Sequence, residues 1–286
     1  MKVREPAVAG SFYSGSPRRL REQIRECFLG HLGPGALPEI TPEGEGRIIG
    51  LVSPHAGYMY SGPVATHGFY HLALDQIPKS IVLLGPNHTG LGTPVAMVAK
   101  GSWKTPLGII DIDAELARKI GEESDVIEED ESAHIMEHSI EVQLPFLQFV
   151  YGTDFKFVPI CMRHQSFKES FELGEALARV LAEKQAVIIA TTDFTHYETQ
   201  AQAEYKDKRA LEAILGLDPG GLEDAVRKLR ISMCGPGPVM AMLIAAKKLN
   251  AVEAKLLSYQ TSGDITGDYE AVVGYASVKV SGSTRR

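Results

Sequence analysis

The chain is poor in the residues that would announce a specialised class. Its three cysteines, Cys27, Cys161 and Cys234, are too few and too widely spaced for a disulfide framework or a CxxC zinc site. Three free thiols in a reducing, cytoplasmic compartment are therefore expected. No run approaches the roughly 18 consecutive apolar residues of a membrane span. The opening "MKVREPAVAGSFY" also lacks the long apolar stretch of a secretory signal. Basic charge is not in surplus: 29 Lys and Arg stand against 36 Asp and Glu, a net charge of -7 that argues against a nucleic-acid partner. The one basic stretch, "RRLREQIR", alternates with apolar residues and reads as the solvated face of a helix. Phosphate-cradling glycine patterns are missing too. "GPNHTGLG" lacks the Lys-Ser/Thr of a P-loop, no GxGxxG opens a helix, and no GxSxG supplies a serine elbow. No nucleotide cofactor and no membrane partner are expected.

What is present points to an α/β fold. Short apolar runs recur at Ile48–Val52, Ile81–Leu84, Val95–Ala99, Phe155–Ile160 and Val187–Ala190, then around Ala254–Tyr259 and Ala271–Val280. Continuous apolar runs of this length suit strands covered on both faces, as in parallel sheets. Between them lie helical spacings such as Leu173, Leu177, Val180 and Leu181, then Ala210 and Ile214, then Val226 and Leu229. The Gly/Pro-rich stretch "GHLGPGALPEITPEGEG" reads as an exposed loop after an N-terminal helix too short to form a core of its own. A single α/β domain over residues 1–286 is expected, with a largely parallel or mixed central sheet flanked by helices.

Several polar residues do not look structural. "IIGLVSPHAGY" places His55 just past an apolar run, and "SIVLLGPNHTG" does the same with His88. "VIIATTDFTHY" repeats the pattern with Asp193 and His196. Ligands of open α/β sheets bind beyond the carboxyl ends of the strands, so all these side chains are expected on one rim. Pattern alone leaves a shared site and separate hydrogen-bonded histidines both open. "ESAHIMEHSIEVQLPFLQ" adds His134, Glu137, His138 and Glu141. Its HxxxH spacing lacks the glutamate of HExxH, because Ile135 follows His134. A helix from Glu137, with Glu141 orienting His138, is the simpler expectation, and Pro145 must then bend it or occupy a first turn. In "ISMCGPGPVMAML", Cys234 falls at or just before a helix N-terminus, where the dipole favours a thiolate. Cys27 and Cys161 are expected to be inert and buried.

In order along the chain, "REPAVAGSFY", "SPHAGYMYSGPVA", "LLGPNHTG", "EHSIEVQLPFLQ", "ATTDFTHY", "CGPGPV" and "SYQTSGDITGD" resemble the Memo family, known in microbes as AmmeMemoRadiSam system protein B. The resemblance runs nearly end to end and implies a fold similar to class III extradiol dioxygenases. Those enzymes hold non-haem iron with two histidines and a carboxylate. Carried over, His55 and His88 match the metal histidines, on strand ends expected to be adjacent, and His196 the acid/base histidine. Cys234 stands where a late glutamate would be, so the implied metal set is His55, His88 and Cys234. Asp193 and His138 join His196 as candidate catalytic residues, with Asp193 orienting His196, and Tyr13 and Tyr58 are candidate pocket walls. Iron is the implied metal, with copper or zinc as alternatives for so soft a set. The implied partners are an unknown small molecule or peptide, with AMMECR-type and radical SAM proteins of a shared pathway. Two functional readings follow: a metal-dependent oxidoreductase, or a non-catalytic peptide- or protein-binding module using the same cleft.

Overall fold

Each apolar run seeds a strand in the computed structural model, which describes residues 2–41, 44 and 46–283. The main sheet runs, strand by strand, His196–Glu198, Val272–Gly282, Ile48–Ser53, Ala186–Thr191, Ser80–Pro86, Lys156–Met162, Val95–Met97 and Glu128–Glu129. The long strand Ala251–Thr261 pairs antiparallel with Val272–Gly282. The four strands from Ile48–Ser53 to Lys156–Met162 are mutually parallel, whereas Val272–Gly282 and Val95–Met97 join them antiparallel. The fold is thus mixed α/β, with a parallel centre and antiparallel flanks.

Burial explains the continuous apolar runs. Along Ile48–Ser53, Ile49 and Val52 pack into one core and Ile48 and Leu51 into the other. Ala186–Thr191 also serves both cores, in strict alternation, with Ile188 and Ala190 on one face and Val187 and Ile189 on the other. Helices Phe167–Leu181 and Pro236–Lys248 cover the first face, and Pro17–Leu29, Tyr58–Ala73 and Leu144–Tyr151 the second. Strands sandwiched this way have no solvated side, so both side-chain parities must be apolar. On Phe167–Leu181 the leucines of the anticipated stripe, Leu173, Leu177 and Leu181, are buried and Val180 is partly buried, each leucine contributing roughly 1.5–3 kcal/mol. The arginines of "RRLREQIR" lie on the exposed face of Pro17–Leu29, while Leu20 and Ile24 face inward.

The structure corrects several local expectations. No helix begins at Glu137: residues 137–140 are irregular, Glu141–Gln143 form a single 3-10 turn, and the α-helix runs Leu144–Tyr151 with Pro145 in its first turn. Proline lacks an N–H, and the first turn is where that donor has no intrahelical partner to lose. A small second sheet of Val3–Arg4, Ser102–Thr105 and Gly108–Asp111 gave no sequence signal, because its strands are only two to four residues long. The Gly/Pro-rich stretch 30–46 is irregular where described, with residues 42, 43 and 45 outside the described residues. The strands bearing His55 and His88 are not adjacent. Ala186–Thr191 lies between them and pairs with both. No helix among the described residues is long and apolar enough to cross a membrane.

Candidate metal centre

The three parallel strands Ile48–Ser53, Ser80–Pro86 and Ala186–Thr191 run the same way, so their carboxyl ends deliver His55, His88 and Asp193 to one rim. Two glycines let other segments close over it. A side chain on Gly85 would lie 2.5 Å from Ser139 Oγ, so the loop bearing His138 can press against the His88 strand only because Gly85 has none. A Cβ at Gly235 would meet the Thr191 carbonyl oxygen at 2.3 Å, so the turn after Cys234 sits directly on the central strand.

These approaches bring His55, His88 and His138 together, with one ring nitrogen from each within 4.8 Å of the others. The His88 and His138 rings stack at 4.5 Å, and His55 stands edge-on to both. His55 is almost fully buried. Its Nδ1 contacts Thr191 Oγ1 at 2.9 Å, and its Nε2 lies 3.1 Å from Cys234 Sγ. Burial drives its pKa well below the ordinary histidine value, with the neighbouring imidazoles adding to the shift. Burial likewise pushes His138 down to about 4. Both rings are therefore neutral at physiological pH and offer lone pairs, the form in which imidazole binds a metal.

Glu137, rather than Glu141, organises these rings. Its Oε1 accepts from His88 Nδ1 at 2.9 Å and from the amides of His138 and Ser139, and its Oε2 accepts from the His88 amide. Burial works to raise this carboxyl, but the hydrogen bond and charge of His88, with further help from His138 and the Ser139 amide, hold it at about 2. A carboxylate on the far nitrogen of a histidine fixes ring and tautomer, as partners of metal-bound histidines do. Glu141 faces elsewhere: it takes Arg4 Nη1 at 2.6 Å, the amides of Ala7 and Val8, and the Tyr13 hydroxyl at 2.6 Å. It anchors the "REPAVAGSFY" segment and so sets Phe12 4.7 Å from the His138 ring. Tyr13 and Tyr58 are accordingly buried anchors, not pocket walls.

His196 lies on the same cleft, but Asp193 does not hold it. The carbonyls of Phe194 and Ser232 lie 2.7 and 2.8 Å from His196 Nδ1, which makes that nitrogen the donor and leaves Nε2 with the lone pair. Asp193 instead accepts from the His55 amide at 2.8 Å, and burial raises its carboxyl to about 6. Tyr197 beside it holds φ at 58°, a strained conformation for a tyrosine, and is 78% exposed at the cleft mouth. Cys234 stands one residue before the Gly235 N-cap of Pro236–Lys248, as the sequence suggests, yet its thiol is pushed up rather than down. Burial and the nearby Asp193 charge outweigh the helix terminus, so the thiolate needs a cation. Cys27 lies between helices away from the cleft, Cys161 is buried within Lys156–Met162, and all three cysteines are free.

The cleft has a volume of about 660 Å³, and Phe12, Tyr60, Tyr197 and Tyr275 stand among its walls. Thr191, Ser232 and Phe12 join the site without a sequence signal, and Glu137 takes the orienting role expected of Glu141. Only Glu137 had a local signal, being the acid immediately before His138.

A sequence profile described as "Memo-like protein" matches residues 4–279. A MEMO1 family protein of Methanopyrus kandleri is 50% identical over 277 residues, covering 96% of this chain and 98% of that protein. Another, of Methanothermobacter thermautotrophicus, is 47% identical, covering 96% and 99%. The crystal structure of an uncharacterized Escherichia coli K12 protein superposes with a TM-score of 0.58 at 15% identity, covering 82% of this chain and 99% of that one. That likeness concerns the fold alone. Matched across nearly its whole length and nearly half identical to full-length relatives, this chain belongs to the Memo family.

Proposed function

We propose that the protein is a metal-dependent oxidoreductase acting on a small organic molecule in this cleft. The observation that carries the reading is the convergence of three imidazoles, with Cys234 Sγ 3.1 Å from one of them, at the floor of an open cavity. The donor chemistry fits a metal. His55 and His138 are held neutral by burial, and His88 is oriented by a buried carboxylate. His55, His88 and Cys234 would hold the ion, with His138 completing the set or standing against it. Such a mixed nitrogen and sulfur set suits iron, copper or zinc, and a bound redox metal would supply electron transfer to or from substrate and dioxygen.

The remaining roles belong to the chain itself. His196 receives a proton from a substrate hydroxyl at Nε2, because its Nδ1 proton is engaged by two carbonyls. Asp193, raised to about 6, fixes the His55 backbone and holds a proton itself under mildly acidic conditions. Glu137 keeps His88 presented with one nitrogen free. Phe12, Tyr60 and Tyr275 exclude water around a bound molecule.

The test is elemental analysis of protein purified without chelators or a nickel column, followed by anaerobic loading with ferrous, cuprous or zinc ion. One ion per chain, with oxygen consumption exceeding that of the free ion and lost in His55→Ala and His88→Ala, is expected. Stoichiometric metal with no oxygen consumption across candidate substrates would favour the non-catalytic binding module. No bound metal after anaerobic loading would overturn the oxidoreductase and favour the binding module.

A further inference from the structure

A second cleft, of about 410 Å³, opens beside the small sheet, walled by Val98, Trp103, Ile112, Ile135 and Met136. The metal centre makes no use of it. Ile135 and Met136 are 53% and 60% exposed, although they sit between His134 and Glu137, which are 1% and 2% exposed. An irregular segment that turns two large apolar side chains outward between two buried polar ones leaves an apolar surface unpartnered. Trp103 forms the back of the cleft, with the Arg4 guanidinium 4.2 Å over its ring.

Two further observations specify what fits. His134 lines this cleft, and its Nε2 lies 3.1 Å from the Ala96 carbonyl. Nε2 must then carry the proton, which leaves Nδ1 as an acceptor, and this buried Nδ1 has no hydrogen-bond partner among the described residues. An unmet buried acceptor is a cost that a donor from a ligand would remove. The charges on the rim are not balanced. Arg4 is neutralised by Glu141, Lys2 pairs with Glu131 and Glu5 with Lys104, whereas Lys100 is exposed and makes no ion pair among the described residues.

We propose that this cleft is a second ligand site, which takes a small aromatic or branched apolar anion carrying one N–H or O–H donor. The apolar body lies against Trp103, Ile135 and Met136, the anionic end meets Lys100, and the donor reaches His134 Nδ1. The wall segment 134–136 leads directly into Glu137 and His138, so one stretch of backbone serves both clefts.

Trp103 is the chain's single tryptophan, so its emission reports on this cleft. The probe is anilinonaphthalene sulfonate, which combines an aromatic body, an N–H and an anion. Saturable quenching of tryptophan emission at one probe per chain is expected. Ile135→Glu and Lys100→Glu should each weaken binding by at least about ten-fold with an unchanged melting temperature, since both positions are exposed. Phenoxynaphthalene sulfonate, in which an ether oxygen replaces the N–H and the rings are kept, should bind at least about three-fold more weakly. Absence of saturable quenching, or affinity indifferent to both substitutions, overturns the proposal, and equal binding of the two probes overturns the donor at His134. Loss of binding in Tyr197→Ala instead would place the probe in the histidine cleft and overturn it as well.

Discussion

Glu137 and Glu141 lie one helical turn apart in sequence, both are buried, and both accept several hydrogen bonds, yet they organise different regions. Glu137 faces imidazoles at the strand ends and shapes the site. Glu141 faces a guanidinium, two amides and a phenol and ties the N-terminal segment onto the body of the fold. A buried carboxylate's role is thus set by its partners. Titratable rings clustered at an open cleft make it part of a candidate site, and a permanent cation with backbone donors makes it an anchor.

Removing the anchor should break the comparison most severely. Glu141→Ala leaves the Tyr13 hydroxyl without its acceptor and Arg4 without its carboxylate, with only the His134 and Glu137 carbonyls still facing the guanidinium, so a loss of about 3–5 kcal/mol is expected, read from denaturant melts. Metal binding should fall only in step with the folded fraction. A variant that melts near the parent temperature would show that the N-terminal segment is held by other contacts.

Acid should act next, through the buried histidines. His134 and His138 have pKa values lowered from 6.5 to about 4, so below 6.5 the unfolded chain takes up protons that the folded chain refuses. Their contribution is complete above 6.5 and is lost as pH falls toward 4. Asp193, raised from 3.8 to about 6, works in the opposite sense and gains stability as pH falls through 6. His55 is lowered in the same direction, so three histidines against Asp193 leave a net loss of a few kcal/mol between about pH 6.5 and about pH 4.5. Denaturant midpoints that stay level or rise over that window would contradict the burial of these rings.

Glu137→Gln sharpens the contrast. It keeps an acceptor oxygen for His88 but removes the charge, so metal affinity should fall roughly ten- to a hundred-fold while the melting temperature moves far less than in Glu141→Ala. Cobalt or zinc titration of the variant reads the effect. Equal losses of affinity and stability would make Glu137 another anchor.

The smallest effect on the fold is expected at Cys234. Cys234→Ser should cost about 1 kcal/mol of stability and at least about ten-fold in metal affinity, whereas Cys161→Ser should leave affinity unchanged. Affinity equal to the parent's in Cys234→Ser would remove the thiol from the ligand set and leave His138 as the third ligand.

The amino-acid sequence by itself determined the alternation of buried strands and amphipathic helices, and with it the α/β class. Runs such as Ile48–Val52 and Val187–Ala190 are apolar at both parities, a pattern that only strands covered on both sides require. It also determined that His55, His88 and Asp193 share a rim, because each follows a strand of the parallel set. Which neighbour each polar side chain meets was decided only by tertiary structure. That Glu137 and not Glu141 holds the histidines depends on residues 137–140 remaining irregular, which turns consecutive side chains to faces no helical spacing predicts. That the Ser232 carbonyl reaches His196, and that Cys234 keeps its proton beside Asp193, depend on the segment before Pro236–Lys248 meeting the end of Ala186–Thr191, which it does at Gly235. Periodicity records which residues leave water. The partner found there follows from long-range packing, which local spacing does not encode.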